Sequence, residues 1–223
     1  MDFGRAFSYV FEDSDWLKKV GIAALVFLIP LVGPITVLGW SLAITKRVIE
    51  GQTTDLLPAW DNFSDHMTLG FKVFVVGFAY SLPVTISSTC SNVIPLLEQN
   101  VSGDTADLLM GLGWIVAICF GCLTMIYSIF LGLALPAAYA KVAVTGEIGA
   151  GFRFADIAAL VKAAPGAYVL TLVGSIAAGL VASLGLIACF VGIFFTAALS
   201  YAIMGHFYGQ AYNAATAVLE PSL

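Results

Sequence analysis

Two stretches of this sequence, Leu69–Leu97 and Leu108–Tyr139, are apolar over more than the roughly 20 residues that an α-helix needs to cross a bilayer. Neither carries a charged side chain at its centre. Lipid offers backbone groups no hydrogen-bond partners, so runs of this kind fold as helices that satisfy themselves. Composition agrees: 60% of residues are hydrophobic, 10% are charged and the mean hydropathy is +0.98. Soluble domains carry about 25% charged residues. The expected fold is all-α, an integral membrane helical bundle in a single transmembrane domain over residues 1–223. No long hydrophilic block leaves room for a separate soluble catalytic domain. The net charge of −5 argues against nucleic acid, which is bound through clustered Lys and Arg.

Near the N-terminus, Asp2, Glu12, Asp13 and Asp15 stand where a basic leader would, so no signal peptide is expected and the segment should be retained. Phe3, Phe7, Val10 and Phe11 recur at helical spacing and predict an amphipathic interfacial helix. Asp13 or Asp15 then caps a second helix. Trp16 with Lys18 and Lys19 marks a membrane boundary, an aromatic ring and ammonium groups at headgroup depth.

The run Val20–Thr45 contains Pro30, Gly33 and Pro34, which break a helix. It reads either as one kinked span or as a hairpin with arms near 17–31 and 34–50. The hairpin is preferred because it puts Lys18, Lys19, Lys46 and Arg47 on one face. Its arms are short for a bilayer, so the pair is expected to be partly inserted, or re-entrant.

From Lys46 to Lys72 runs the longest polar interval. Its basic start and its Trp60, Phe63 and Met67 predict a segment lying flat at the membrane surface. Pro83 is expected to interrupt the span that follows, and Glu98–Asp107, acidic and without a base, forms the outer loop. The return span delivers Lys141, Arg153 and Lys162 to the side of the first elbow, with a second elbow over Gly146–Ala159. Ala163–Leu186 and Gly192–Phe207 form a closing hairpin turned near Cys189. About six membrane-embedded segments result, with all nine Lys and Arg and both termini cytoplasmic. Cut this way, the chain reads as a three-unit internal repeat: 1–50 (interfacial helix plus short hairpin), 51–145 (elbow plus two long spans) and 146–223 (elbow plus closing hairpin).

Phe11-Glu12-Asp13-Ser14-Asp15-Trp16-Leu17-Lys18-Lys19, Ile29-Pro30-Leu31-Val32-Gly33, Leu38-Gly39-Trp40, Leu57-Pro58-Ala59-Trp60-Asp61-Asn62, Gly70-Phe71-Lys72 and the late Gly209-Gln210-Ala211-Tyr212 carry a likeness. In these stretches the sequence resembles the uncharacterised prokaryotic membrane proteins grouped as domain-of-unknown-function family 4013. The resemblance implies a multi-pass protein of a prokaryotic cell (inner) membrane and supplies no activity.

Few residues invite chemistry. Cys119-x-x-Cys122, with Cys90 and Cys189 elsewhere, reads as small apolar packing rather than as a thiolate metal site. His206, one turn from Gln210, reads as a satisfied interfacial histidine rather than as a porphyrin ligand, and His66 as solvated. Asp61, Asp65 and His66 look like elbow solvation and capping. No cofactor or metal is expected. The absence of ionisable groups at span centres argues against ion-coupled transport. The polar run Ser87–Asn92 reads as interhelical hydrogen bonding or interface solvation.

The clearest positive signal is small residues. Thr171, Gly174, Ser175, Ala178, Gly179, Ala182 and Ser183 form one face, and Gly205-x-x-x-Gly209 repeats the pattern, so close helix packing is expected. The expected function is non-enzymatic: a structural, accessory or scaffold subunit, or a homo-oligomer. It would act through helix packing at Gly174, Ala178, Ala182, Gly205 and Gly209. It would bind membrane lipids or a protein partner through Trp16, Lys18, Lys19, Lys46, Arg47, Trp60, Phe63, Lys141 and Arg153. The alternative is a carrier or channel for a small neutral or amphipathic solute, with a path among the proline-broken helices.

Overall fold

The structure, a computed structural model, describes residues 1–98, 100–187 and 191–219. The described residues form eight α-helices and no strand: α1 (Arg5–Glu12), α2 (Trp16–Phe27), α3 (Val32–Ile49), α4 (Phe63–Glu98), α5 (Asp104–Thr145), α6 (Phe154–Ala163), α7 (Pro165–Leu184) and α8 (Val191–Leu219). A 3-10 turn, Ile148–Phe152, precedes α6. The chain divides into two compact units, one of residues 1–76 with 133–223 and one of residues 77–132.

In the first unit α8 is the centre, touched by α1, α2, α3, α6 and α7. Its buried positions are mostly small: Ala198, Ala202, Ala211 and Ala215, with Ile203 and Phe207. Small side chains let helix backbones approach closely. Three side chains lock α3 to α8. Ser41 Oγ donates to the Tyr201 carbonyl at 2.5 Å, Thr45 Oγ1 to that of Gly205 at 2.9 Å, and Asn213 Nδ2 to that of Val48 at 2.9 Å. Both numberings rise together across these contacts, so α3 and α8 run parallel.

The α7–α8 pair is antiparallel, since Gly174 meets Phe207 while Thr196 Oγ1 donates to the Ala182 carbonyl at 2.8 Å. The expected turn of this hairpin near Cys189 lies outside the described residues. Helix α4 is antiparallel to α3 by the same test: Gly39 sits on the His66 carbonyl and Gly70 on that of Ile35, approaches that leave no room for a Cβ. The starts of α2, α4 and α7 and the ends of α3 and α8 therefore gather at one end of this unit.

Val20–Thr45 is broken, not kinked. Helix α2 ends at Phe27, and Pro30-Leu31-Val32 makes a γ-turn in which the Val32 N–H donates to the Pro30 carbonyl at 2.7 Å, with Leu31 at φ 64°. Gly33 then packs on the Val26 carbonyl, closing the hairpin, while Pro34 is absorbed in the first turn of α3, where its missing N–H costs nothing. The 12 residues of α2 extend about 18 Å, against a hydrocarbon core of about 30 Å.

Helix α1, expected as an amphipathic interfacial helix, packs its apolar face on α8. Tyr9 Oη donates to the Ala202 carbonyl at 2.8 Å, and Asp2 and Gln210 exchange two hydrogen bonds, so α1 lies antiparallel along α8. Phe3 and Phe7 close on Phe207 with ring centroids 5.1 and 5.9 Å away. Much of the apolar face of α1 is thus covered by protein, while Phe11 stays exposed in an edge-to-face contact with Trp16.

The second unit is a two-helix hairpin of the later part of α4 and the earlier part of α5, turned through Gly103 at φ +67°. Helix α4 continues through Pro83 instead of breaking there. Tyr127 Oη donates to the Tyr80 carbonyl at 3.0 Å, and the Ser87 and Thr124 hydroxyls meet at 3.3 Å. Thr89 and Asn92 bond carbonyls of their own helix, so of the polar run Ser87 is the residue seen reaching across. Trp114, Ile115, Ile118, Leu123, Met125 and Ile126 are all exposed. A surface of that kind is suited to lipid or to another protein, not to water.

Candidate interfacial cleft at the elbow

The connection from α3 to α4 is ordered by a helix stop followed by a series of tethers. Gly51, at φ +79°, ends α3: its N–H bonds the Val48 carbonyl at 3.1 Å and that of Gln52 bonds Arg47 at 3.0 Å, a Schellman closure. Residues 52–62 then fold back over the helix ends. Leu56 and Leu57 are buried, and the fully buried Trp40 donates from Nε1 to the Pro58 carbonyl at 3.0 Å. Trp60 stacks on Trp40 with centroids 5.7 Å apart and planes 15° from parallel, and donates from Nε1 to the Lys19 carbonyl at 2.9 Å. Arg5 Nη2 holds the Thr53 carbonyl at 2.9 Å, Arg47 Nη1 holds that of Asp55, and His66 Nε2 lies 3.1 Å from that of Ala59. The elbow is a fixed strap.

Beneath it opens a cleft of about 490 Å³. Lys46, Arg47 and Glu50 from the end of α3 form one wall; Asp61 and Asn62 from the end of the elbow, with Asp65, His66 and Leu69 from the start of α4, form the other; Pro58 and Ala59 lie between. Lys46 and Glu50 approach only to 3.9 Å and are both about half exposed, a contact worth little in water. Among the described residues no ion pair joins Lys46 or Arg47 to Asp61 or Asp65. The cleft thus presents a basic and an acidic pole that have not closed on each other. It has the means to hold a polar or charged group.

The other residues singled out in the sequence are dispersed through the first unit. Lys19 is half-buried and bonds the buried Asp13 carboxylate at 2.6 Å, and Trp16 is half-buried in an edge-to-face contact with Phe11, whereas Lys18 is exposed. Phe63 is exposed beside Trp60. Lys141 bonds Asp156 at 2.5 Å, and the ammonium holds that exposed carboxyl below its ordinary range, chiefly through the hydrogen bond and then through its charge. Arg153 is exposed, 3.5 Å from Glu147.

The small residues named next are occupied within the chain, whereas Gly179 and Ser183 on α7 stay exposed. Gly174 lies against the Phe207 ring, Gly205 against Ser41, Gly209 against Val48, Ala178 is fully buried, and the Ala182 carbonyl accepts from Thr196. His66 and His206 are buried, 6% and 3% exposed, where His66 was expected to be solvated. His206 stacks on Tyr9 at 4.5 Å, with Nδ1 2.8 Å from Gln210 Nε2. Cys119 and Cys122 are exposed and unbridged; Cys189 and the side chain of Cys90 lie outside the described residues. Among the described residues no group of three or more His, Cys, Asp or Glu is placed to hold a metal ion.

Glu50, Arg5 and the Trp40–Trp60 stack were not singled out as functional from sequence. The two tryptophans lie in a helix and in a loop, with no common period to connect them. The one available signal was the pair of consecutive basic residues ending α3 ahead of an acid-rich elbow.

Four helices, within Val32–Ile49, Phe63–Thr89, Asp104–Thr145 and Pro165–Leu184, are long and apolar enough to cross a membrane, and with the polar elbow they are the make-up of a helical membrane protein. Residues 22–191 match the family model described as Protein of unknown function (DUF4013), and the chain belongs to that family. No curated protein and no solved structure matches the chain.

Proposed function

We propose that the protein is a non-enzymatic, multi-pass protein of a prokaryotic inner membrane that serves as a structural or accessory subunit. It works through helix packing and through binding at the membrane surface. The observation that carries this reading is the second unit, a hairpin whose large apolar side chains, Trp114 at 67% exposure among them, face outward. Such a surface calls for lipid and for partner helices. Most of the small residues of α7 and α8 pack inside the first unit, with Gly179 and Ser183 left exposed on α7, so the contact with a partner or a second copy is assigned chiefly to this hairpin.

Six membrane-embedded segments fit the reading. The pairs α4–α5 and α7–α8 cross the membrane, and the short α2–α3 pair is re-entrant. Its tip exposes Leu28, Ile29, Leu31 and Val32 and satisfies much of its backbone locally, as a turn immersed in hydrocarbon must. Lys18, Lys19, Lys46 and Arg47 at the gathered helix ends favour a cytoplasmic face there, with both termini on that side. The repeat of a surface segment followed by a helix pair is part of the same reading.

Gentle purification of the tagged protein from native membranes, followed by native mass spectrometry, tests it. A stoichiometric partner protein or a defined homo-oligomer is expected. A bare monomer holding only lipid would contradict the subunit reading and direct attention to a solute path.

A further inference from the structure

We propose that the elbow cleft binds a zwitterion carrying a phosphate and a primary ammonium group, the headgroup chemistry of an aminophospholipid, with Lys46 and Arg47 on the phosphate and Asp61 and Asp65 on the ammonium. This rests on the reading of the protein as one that acts at the membrane surface.

The poles come from different elements, the last turn of α3 on one side and the end of the elbow with the first turn of α4 on the other, and the roughly 490 Å³ between them is open. Opposite charges that serve only solvation are free to collapse onto one another. Here, among the described residues, the basic wall has the long Lys46–Glu50 contact along its own helix as its ion pair, and Arg47 holds the Asp55 carbonyl through Nη1. The floor is pre-shaped, because Trp40 fixes Pro58 and His66 fixes Ala59, so little ordering cost remains when a ligand enters. A guanidinium and an ammonium suit phosphate, while paired carboxylates suit a primary ammonium with three N–H donors. A quaternary amine donates none, and a glycerol headgroup brings no positive charge to the acidic wall. Phe63 and Met67, exposed at the start of α4 beside Asp65 and His66 in the sequence, supply apolar surface of the kind that sits at headgroup depth.

The test uses the full-length protein, stripped of lipid in detergent micelles. Dioleoyl phosphatidylethanolamine, phosphatidylglycerol and phosphatidylcholine are added separately, and retention is read by native mass spectrometry. The expected result is a preference of about tenfold for phosphatidylethanolamine. The Asp61→Asn/Asp65→Asn double variant should lose that preference while still retaining phosphatidylglycerol. Lys46→Gln should weaken both lipids. All three substituted side chains are exposed, and an unchanged elution profile and thermal midpoint confirm that each variant is folded.

Free phosphoethanolamine is the competitor that separates the sources. Failure to displace the lipid at millimolar concentration assigns the site to a membrane headgroup; displacement, with binding on its own, assigns it to a soluble phosphoamine. Equal retention of phosphatidylethanolamine and phosphatidylglycerol by the unmodified protein, or a preference that survives the double variant, overturns the proposal. Neither result depends on whether a partner protein co-purifies, so this inference and the subunit reading fail separately.

Discussion

Gly205 shows how little tolerance the first unit has. Its Cα faces the Ser41 backbone so closely that any Cβ would collide with the carbonyl, and two hydroxyl-to-carbonyl bonds hold α3 in that position. Gly205→Val should therefore cost about 1–3 kcal/mol, the usual penalty for overpacking. The expected readout is a lower thermal midpoint in detergent; an unchanged midpoint would mean that α3 and α8 are not in contact. Trp40 makes a second test. Trp40→Phe keeps a ring but leaves the Pro58 carbonyl without its donor, a loss of about 1–3 kcal/mol. The strap should then become open to proteinase K near Leu56 and Leu57, which are buried in the native chain.

At the scale of elements, the sequence was legible where the signal is local. The break after Phe27 follows from Pro30 and Gly33, the stop at Gly51 from a glycine after the basic last turn, and the long apolar helices from hydropathy. Contacts distant in sequence were not legible. The spacing of Phe3, Phe7 and Val10 specifies an apolar face, but it does not say whether lipid or α8 covers it; Tyr9 and Ala202 meet across most of the chain. Likewise Pro83 signals a break that a long apolar helix absorbs.

Helix α6 offers a pH test at this scale, through the pairing of Asp156 with Lys141 on α5. The folded carboxyl is held below its ordinary value of about 4, so the contribution of the pair is fully present above that value and is lost as pH falls through the depressed one. The thermal midpoint should drop over that acid range in the unmodified protein, relative to Asp156→Asn measured alongside it. Parallel pH curves for the two proteins would show that the pair contributes nothing.

For the whole molecule, the account depends on sidedness. The helix pairings gather Lys18, Lys19, Lys46 and Arg47 at one end of the first unit, while the acidic Glu98–Asp107 segment closes the α4–α5 hairpin. The sequence suggested this division from charge alone, and the parallel run of α3 with α8 supplies the geometric reason that the elbow and the C-terminal part of α8 keep company. The proposed topology puts the elbow and its cleft on the basic, cytoplasmic side. The direct measurement is labelling with a membrane-impermeant maleimide in a background where Cys90, Cys119, Cys122 and Cys189 are replaced by Ser, with single cysteines introduced by Thr53→Cys or Ser102→Cys. The account predicts that the Ser102 variant is labelled in intact spheroplasts and the Thr53 variant only in inverted vesicles. Labelling of both positions from the same side, or of Thr53→Cys from outside, would contradict it.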